Sequence, residues 1–230
     1  MKGIIYYSHG MWEPIGSAVR EQLLKANLPI VSCSLQPLDF GENVVLNLEP
    51  SILTMFKQIL AALKASKADT IFFCEHDVLY HPSHFEFELP SRDKFYYNVN
   101  VWRWYYPTMR AVTWNTVRSL SGMCCDRELA IKHYEERVKF VEKNGWTTIY
   151  GFEPGTKKIR QGGITDDDFE DWKSELPLID IRHYGTITPR KCHTTSFSNK
   201  EYIDSFVKIR LDQVPGWDYK HLQTICPTTT

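Results

Sequence analysis

The sequence predicts an α/β fold, and three observations predict it. Short runs rich in β-branched and aromatic residues, at 4–7, 30–33 and 70–74, alternate with amphipathic stretches of helical period. The third run, Ile71-Phe72-Phe73-Cys74, is apolar without alternation, as a central strand covered on both faces must be. The spacing strand, helix, strand, helix, strand over the first 74 residues matches a nucleotide-binding half-sheet. With 230 residues and 43% hydrophobic content the chain has material for a substantial core.

Taken in order, Ile4-Ile5-Tyr6-Tyr7 reads as a buried first strand, broken by Ser8-His9-Gly10. Pro14 opens a helix to about residue 26, with Val19, Leu23 and Leu24 at helical spacing. Residues 30–33 make a second strand, and 36–49 a polar connection. Ser51 caps a helix whose apolar stripe is Ile52, Met55, Phe56, Ile59, Leu60 and Leu63. Beyond residue 74 the pattern is less regular. Residues 95–106 and 110–114 read as aromatic strands in a hairpin around Pro107, and 127–141 as a helix. Further strands are expected at 147–152 and 178–181, and a solvated loop at 162–170 around Asp166-Asp167-Asp168. Trp217 is expected to anchor the carboxyl-terminal stretch.

Composition narrows the function. The 27 basic and 28 acidic residues leave a net charge of -1, so the basic excess of a general nucleic-acid binder is missing. Cysteines 33, 74, 124, 125, 192 and 226 form no C-x-x-C pair, which reads as packed, reduced thiols of a cytosolic protein. His76, His81 and His84 have no later partner pair, so their spacing is not a specific zinc signature. The apolar run at the amino terminus is too short for a signal peptide, and no transmembrane segment is expected. A cytoplasmic protein follows as the expectation.

In sheets of this kind ligands gather at the carboxyl ends of the strands. The residues just past the third strand are Glu75-His76-Asp77. Alternation along an extended chain aims Glu75 and Asp77 to the same side, which would make a hard oxygen site for Mg²⁺ or Mn²⁺. An ordinary acidic surface turn is the plain alternative.

The run from Gln58 through Glu75-His76-Asp77-Val78-Leu79-Tyr80-His81-Pro82-Ser83-His84-Phe85 resembles the GT-A type of glycosyltransferase, family 2-like. The resemblance implies a Rossmann-like α/β/α sandwich with a mixed, mostly parallel central sheet. It also implies a single domain over 1–230, with a nucleotide-sugar half at about 1–90, an acceptor and catalytic half at about 91–195, and a tail at 196–230. In such enzymes an Asp-x-Asp-like motif ends the central strand. By resemblance Asp77 is a metal ligand, while Glu75 joins it or supports the donor ribose. Glu75 stands where Asp is commoner and is longer by one methylene, which favours Asp77 as the direct ligand. Gln58, in the helix before the motif, would reach the nucleotide, and the strand end at Tyr7, Ser8 and His9 would face the base.

The later pieces follow the same order. Leu120-Ser121-Gly122-Met123-Cys124-Cys125 resembles the small-residue loop that admits donor sugar and acceptor; a packing turn is the alternative. Glu153, in Tyr150-Gly151-Phe152-Glu153-Pro154-Gly155, would be the general base of an inverting transfer. His183, in Asp180-Ile181-Arg182-His183, would return to the metal, with His193 as second choice and Asp180 holding the His183 ring. Imidazole suits Mn²⁺ better than Mg²⁺. Arg182, Arg190 and Lys191 would counter diphosphate charge. The aromatic stretch holding Tyr96, Tyr97, Trp102, Trp104, Tyr105 and Tyr106 would either cradle a sugar or base or pack the core. The implied partners are a nucleotide diphosphate sugar, with a UDP-sugar favoured, and a hydroxyl acceptor: a glycan, a lipid-linked sugar, a small molecule or a modified base. A phosphohydrolase or nucleotidyltransferase using the same acids, and a non-catalytic carbohydrate- or nucleotide-binding module, are the rival functions.

Overall fold

A computed structural model describes residues 1–10, 13–106, 108–115, 118–147, 151–155, 168–183 and 205–225. The central sheet grows outward from β1 (Lys2–Ser8), which pairs in parallel with β2 (Ile30–Ser34) on one side and β4 (Thr70–Glu75) on the other. Beyond β2 lies β3 (Glu42–Val45), also parallel. Beyond β4 comes β9 (Met123–Asp126), antiparallel to both β4 and β6 (Phe95–Asn98), with β10 (Phe169–Trp172) at the edge. The strand order is β10-β6-β9-β4-β1-β2-β3, a mixed and largely parallel sheet.

Alternation sorts the core residues of these strands into two layers. Ile4, Tyr6, Phe72 and Cys74 face α1 (Glu13–Leu24) through Val19 and Leu23. Ile5, Tyr7, Ile71 and Phe73 face α2 (Ile52–Ala65) and α3 (Arg127–Asn144) through Phe56, Ile59, Leu63 and Tyr134. Both faces of β1 and β4 are therefore dry, which explains why those runs carry no polar alternation. Ser51 caps α2 by accepting the Thr54 N–H at 3.0 Å. Asp126 caps α3 by accepting from the backbone of Glu128 and Leu129, and Gly145, at φ +74°, ends it.

A second sheet packs on the first layer. It comprises β5 (Val78–Leu79), β7 (Val101–Tyr105), β8 (Arg110–Thr113), β11 (Leu178–Arg182) and β12 (Val207–Arg210), in the order β12-β8-β7-β11-β5. A short helix, α4 (Tyr219–Ile225), lies against α1. The hairpin of β7 and β8 is antiparallel, as the aromatic pattern predicts.

Several elements depart from the sequence reading. Residues 95–106 are two strands in different sheets, because the chain turns where Asn98 Oδ1 accepts the Asn100 N–H at 3.0 Å. The polar connection hides β3, whose Asn43 amide binds Ser32 Oγ at 2.8 Å and Ser34 Oγ at 2.9 Å. Cys124 and Cys125 are fully buried on strand β9, so the small-residue loop shrinks to the single turn Leu120–Gly122. Phe169 and Glu170 belong to β10, which corrects the end of the predicted loop at 162–170. Of the strand expected at 147–152, residues 148–150 lie outside the described residues, and Gly151 and Phe152 are not extended pairs. No helix among the described residues is long and apolar enough to cross a membrane.

Candidate functional site

Strand β4 stops at Glu75, and the chain leaves the central sheet through a two-residue turn, His76 and Asp77, into β5 of the second sheet. The turn is held on both sides. The Glu75 N–H donates to the buried Tyr80 hydroxyl at 2.9 Å, and the Ile181 N–H donates to the Asp77 carbonyl at 2.8 Å. Because β11 pairs with β5, His183 arrives beside Asp77, with Nε2 3.7 Å from Oδ2. Potential ligand atoms of His76, Asp77 and His183 all lie within 4.8 Å of one another.

Glu75 is not in that group. It stands opposite Tyr7 in the β1–β4 register, and the Tyr7 hydroxyl donates to its Oε1 at 2.9 Å. The alternation that pairs Glu75 with Asp77 in sequence fails because extension ends at Glu75, so the turn brings His76 to the cluster instead. Sequence alone gives His76 no ligand role; the signal for it is the change from apolar strand to Glu-His-Asp. The two carboxyls differ in charge state. Burial, then the neighbouring Asp77 carboxylate, pushes Glu75 well above the usual carboxyl range. Burial also works against ionisation of Asp77, but His76, His183 and Arg182 together outweigh it and hold Asp77 low.

The cluster borders a cavity of about 350 Å³. Tyr7, Ser8 and His9 line one wall, and the His9 ring meets His76 edge-on at 5.0 Å between centroids. Burial and the nearby His76 lower the His9 pKa. Gln58 lines the same wall, but its amide nitrogen is held by the carbonyls of Ser8 at 2.7 Å and Cys33 at 3.1 Å. It ties together the ends of β1 and β2. The rim beyond it is formed by Leu35, Pro50, Ser51, Thr54 and Met55.

The cavity is also lined by Glu153, Phe152, Arg103, Arg118 and Arg182. Arg103 and Arg182 both donate to the buried Asp180 carboxylate, so guanidinium groups take the place that the sequence reading gives to the His183 ring. The Arg103 guanidinium also stacks over Trp114 at 4.3 Å. Arg118 forms a bidentate pair with Asp171 at 2.7 and 2.5 Å. Among the aromatic stretch, Tyr96, Tyr97, Trp102, Trp104 and Tyr105 are buried in the core and do not line the cavity. The Trp217 indole donates to the Pro177 carbonyl at 2.9 Å. Arg190, Lys191 and His193 lie outside the described residues.

Two imidazoles and one ionised carboxylate, close enough to share a centre, form a donor set that fits a divalent transition ion.

No family model matches the chain, and no curated protein matches it. Solved structures do match. One is a glycosyltransferase involved in the glycosylation of the major capsid of PBCV-1, 10% identical, covering 83% of this chain and 97% of that one, with a TM-score of 0.47. HddC from Yersinia pseudotuberculosis is 11% identical over 86% of this chain and 100% of that one, with a TM-score of 0.45. The apo-form glycosyltransferase GlyE of Streptococcus pneumoniae TIGR4 is 10% identical over 62% of this chain and 39% of that one, with a TM-score of 0.38. At these identities and TM-scores the likeness is a loose one of architecture; the mixed, largely parallel sheet itself is set by this chain's own strand pairing.

Proposed function

We propose that this chain is a metal-dependent glycosyltransferase that moves a sugar from a nucleotide diphosphate donor, a UDP-sugar by preference, to an acceptor hydroxyl with inversion. The observation that carries the reading is the meeting of Asp77 and His183, 106 positions apart in sequence, beside a cavity that Asp77 and Glu153 both line. His76, Asp77 and His183 would hold the cation, Mn²⁺ in preference to Mg²⁺. When bound, the ion supplies positive charge against the departing diphosphate. Arg182, close enough to Asp77 to help hold it ionised, adds fixed positive charge at the same end. Glu153 would take the acceptor proton as the hydroxyl attacks. The strand ends at Tyr7, Ser8 and His9, braced by Gln58, would seat the nucleotide. Glu75, bonded to Tyr7, would keep that wall in register with the metal turn.

The test is a screen of nucleotide sugars with and without Mn²⁺, reading which bond is cut. The reading expects Mn²⁺-dependent release of free sugar and nucleoside diphosphate, nearly lost in Asp77→Asn. Cleavage within the phosphate chain would support a phosphohydrolase or nucleotidyltransferase instead. Binding of UDP without turnover of any donor or acceptor would point to a binding module.

A further inference from the structure

Arg137 is an unusual charged residue. It sits on α3, is 3% exposed and forms no ion pair among the described residues. Burying a guanidinium is costly unless its hydrogens find acceptors. Here one terminal nitrogen donates to two successive carbonyls, Gly151 at 3.1 Å and Phe152 at 2.7 Å. Its flat face lies over the Phe56 ring at 5.2 Å. Both carbonyls belong to the turn that carries Glu153.

The far side of that turn is held in the same way. The buried Tyr97 hydroxyl donates to the Pro154 carbonyl at 2.6 Å. Gly151 and Gly155 bracket the segment at φ +63° and +76°, and a Cβ on Gly155 would lie 3.0 Å from the Phe169 ring. Acceptors on both sides of Glu153 are thus taken by rigid donors from α3 and β6, while Glu153 itself lines the cavity. The charged and titratable groups near enough to act on Glu153 include Arg103 from β7, Arg137 and Tyr134 from α3, and Tyr97 from β6.

We infer that Arg137 is a positioning residue for Glu153, and that Tyr97 is the second clamp of the same turn. The inference rests on the glycosyl-transfer reading with Glu153 as base. A base must stand within hydrogen-bond reach of the proton it removes, and displacement of about 1 Å costs about a hundredfold in rate. A guanidinium that binds the backbone on the Gly151 and Phe152 carbonyls sets that position through the main chain.

The experiment compares Arg137→Met, Arg137→Lys and Tyr97→Phe, alone and combined with Glu153→Gln. It uses the full chain with Mn²⁺ and whichever of UDP-glucose, UDP-galactose and UDP-N-acetylglucosamine is turned over. Arg137→Met should lower kcat by about a hundredfold with the donor KM and the calorimetric affinity for UDP within about twofold of the parent. Arg137→Lys should recover part of the loss, and Tyr97→Phe, which removes one hydroxyl, should cost about tenfold or less. In the Glu153→Gln background neither Arg137→Met nor Tyr97→Phe should lower turnover further. If Glu153→Gln alone leaves transfer unchanged, the base assignment itself fails. If Glu153→Gln is crippling but the Arg137 and Tyr97 variants leave kcat intact, or lower it equally with and without Glu153→Gln, the positioning role is refuted. Should Arg137→Met fail to fold, Tyr97→Phe and Arg137→Lys decide the question by the same criteria.

Discussion

Replacing His84 by phenylalanine removes a proton-binding site from the middle of the core. The His84 ring is fully buried and stacks on Trp172 at 5.4 Å with an interplanar angle of 13°. Its protonation state can be read from its neighbour. Asn98 Oδ1 accepts the N–H groups of Asn100 and Ser174, so the Asn98 amide nitrogen faces His84 Nδ1 at 3.0 Å and must donate to it. A ring that accepts at Nδ1 is neutral. Burial pushes the His84 pKa down to about 3, against about 6.5 for an unfolded histidine. The sign follows: below about pH 6.5 the unfolded chain takes up a proton that the folded one refuses. Stability is therefore full above that pH and falls by up to about 1.4 kcal/mol per unit as pH drops toward 3. At pH 5 the contribution lost is about 2 kcal/mol. Urea unfolding at pH 7.5 and 5.0 should show the parent losing about 2 kcal/mol more than His84→Phe over that interval, whatever their difference at pH 7.5. His133, also lowered by burial and then by Arg137, titrates in both proteins and cancels. Equal losses in the two proteins would refute the account.

The remaining predictions concern the site and the frame. Mn²⁺ at a hundredfold over its dissociation constant should stabilise the fold by about 2.7 kcal/mol and raise Tm by about 5–10 °C; Mg²⁺ should do less, and Asp77→Asn should abolish the Mn²⁺ shift. An undiminished shift in Asp77→Asn would place the ion elsewhere. Gly41→Ala forces a Cβ to 2.4 Å from the Ile30 carbonyl at φ +61°, so urea unfolding should report a loss of about 1–3 kcal/mol. Asp126→Ala removes the cap of α3 and should cost about 1 kcal/mol, or about 2–4 °C in a thermal scan; an unchanged Tm would mean the cap is idle.

The first half of the fold is legible because its strands are apolar through and through and its helices carry clean stripes. Ile71-Phe72-Phe73-Cys74 permits little besides a covered strand, and Ser51 announces α2. The second half obeys contacts that no short window contains. β3 is polar because it is an edge, half exposed and secured by Asn43. β9 reads as a loop because small residues satisfy a crowded central strand as well as an open turn. At the site, Asp77 and His183 are singled out by resemblance, yet what brings them together is the pairing of Ile179 and Asp180 with Leu79 and Val78. His76 escapes notice because its participation depends on strand β4 ending one residue earlier than alternation assumes. Arg137 and Tyr97 give no signal at all: one reads as a charged helix residue, the other as an aromatic on a strand.

The crossing from β4 into β5 has a mechanical corollary. The ligand turn is suspended between two sheets, with its upstream end stitched to β1 and its downstream end to β11. The gap between Asp77 and His183 is therefore gauged by the pairing of β5 with β11 and by the core that fixes those two strands, not by any loop. Altered volume at Leu79 or Ile179, both fully buried, would retune coordination from within while leaving every donor atom in the protein. On the proposed metal-dependent reading, selectivity among cations becomes a trait that substitutions in the hydrophobic interior can adjust.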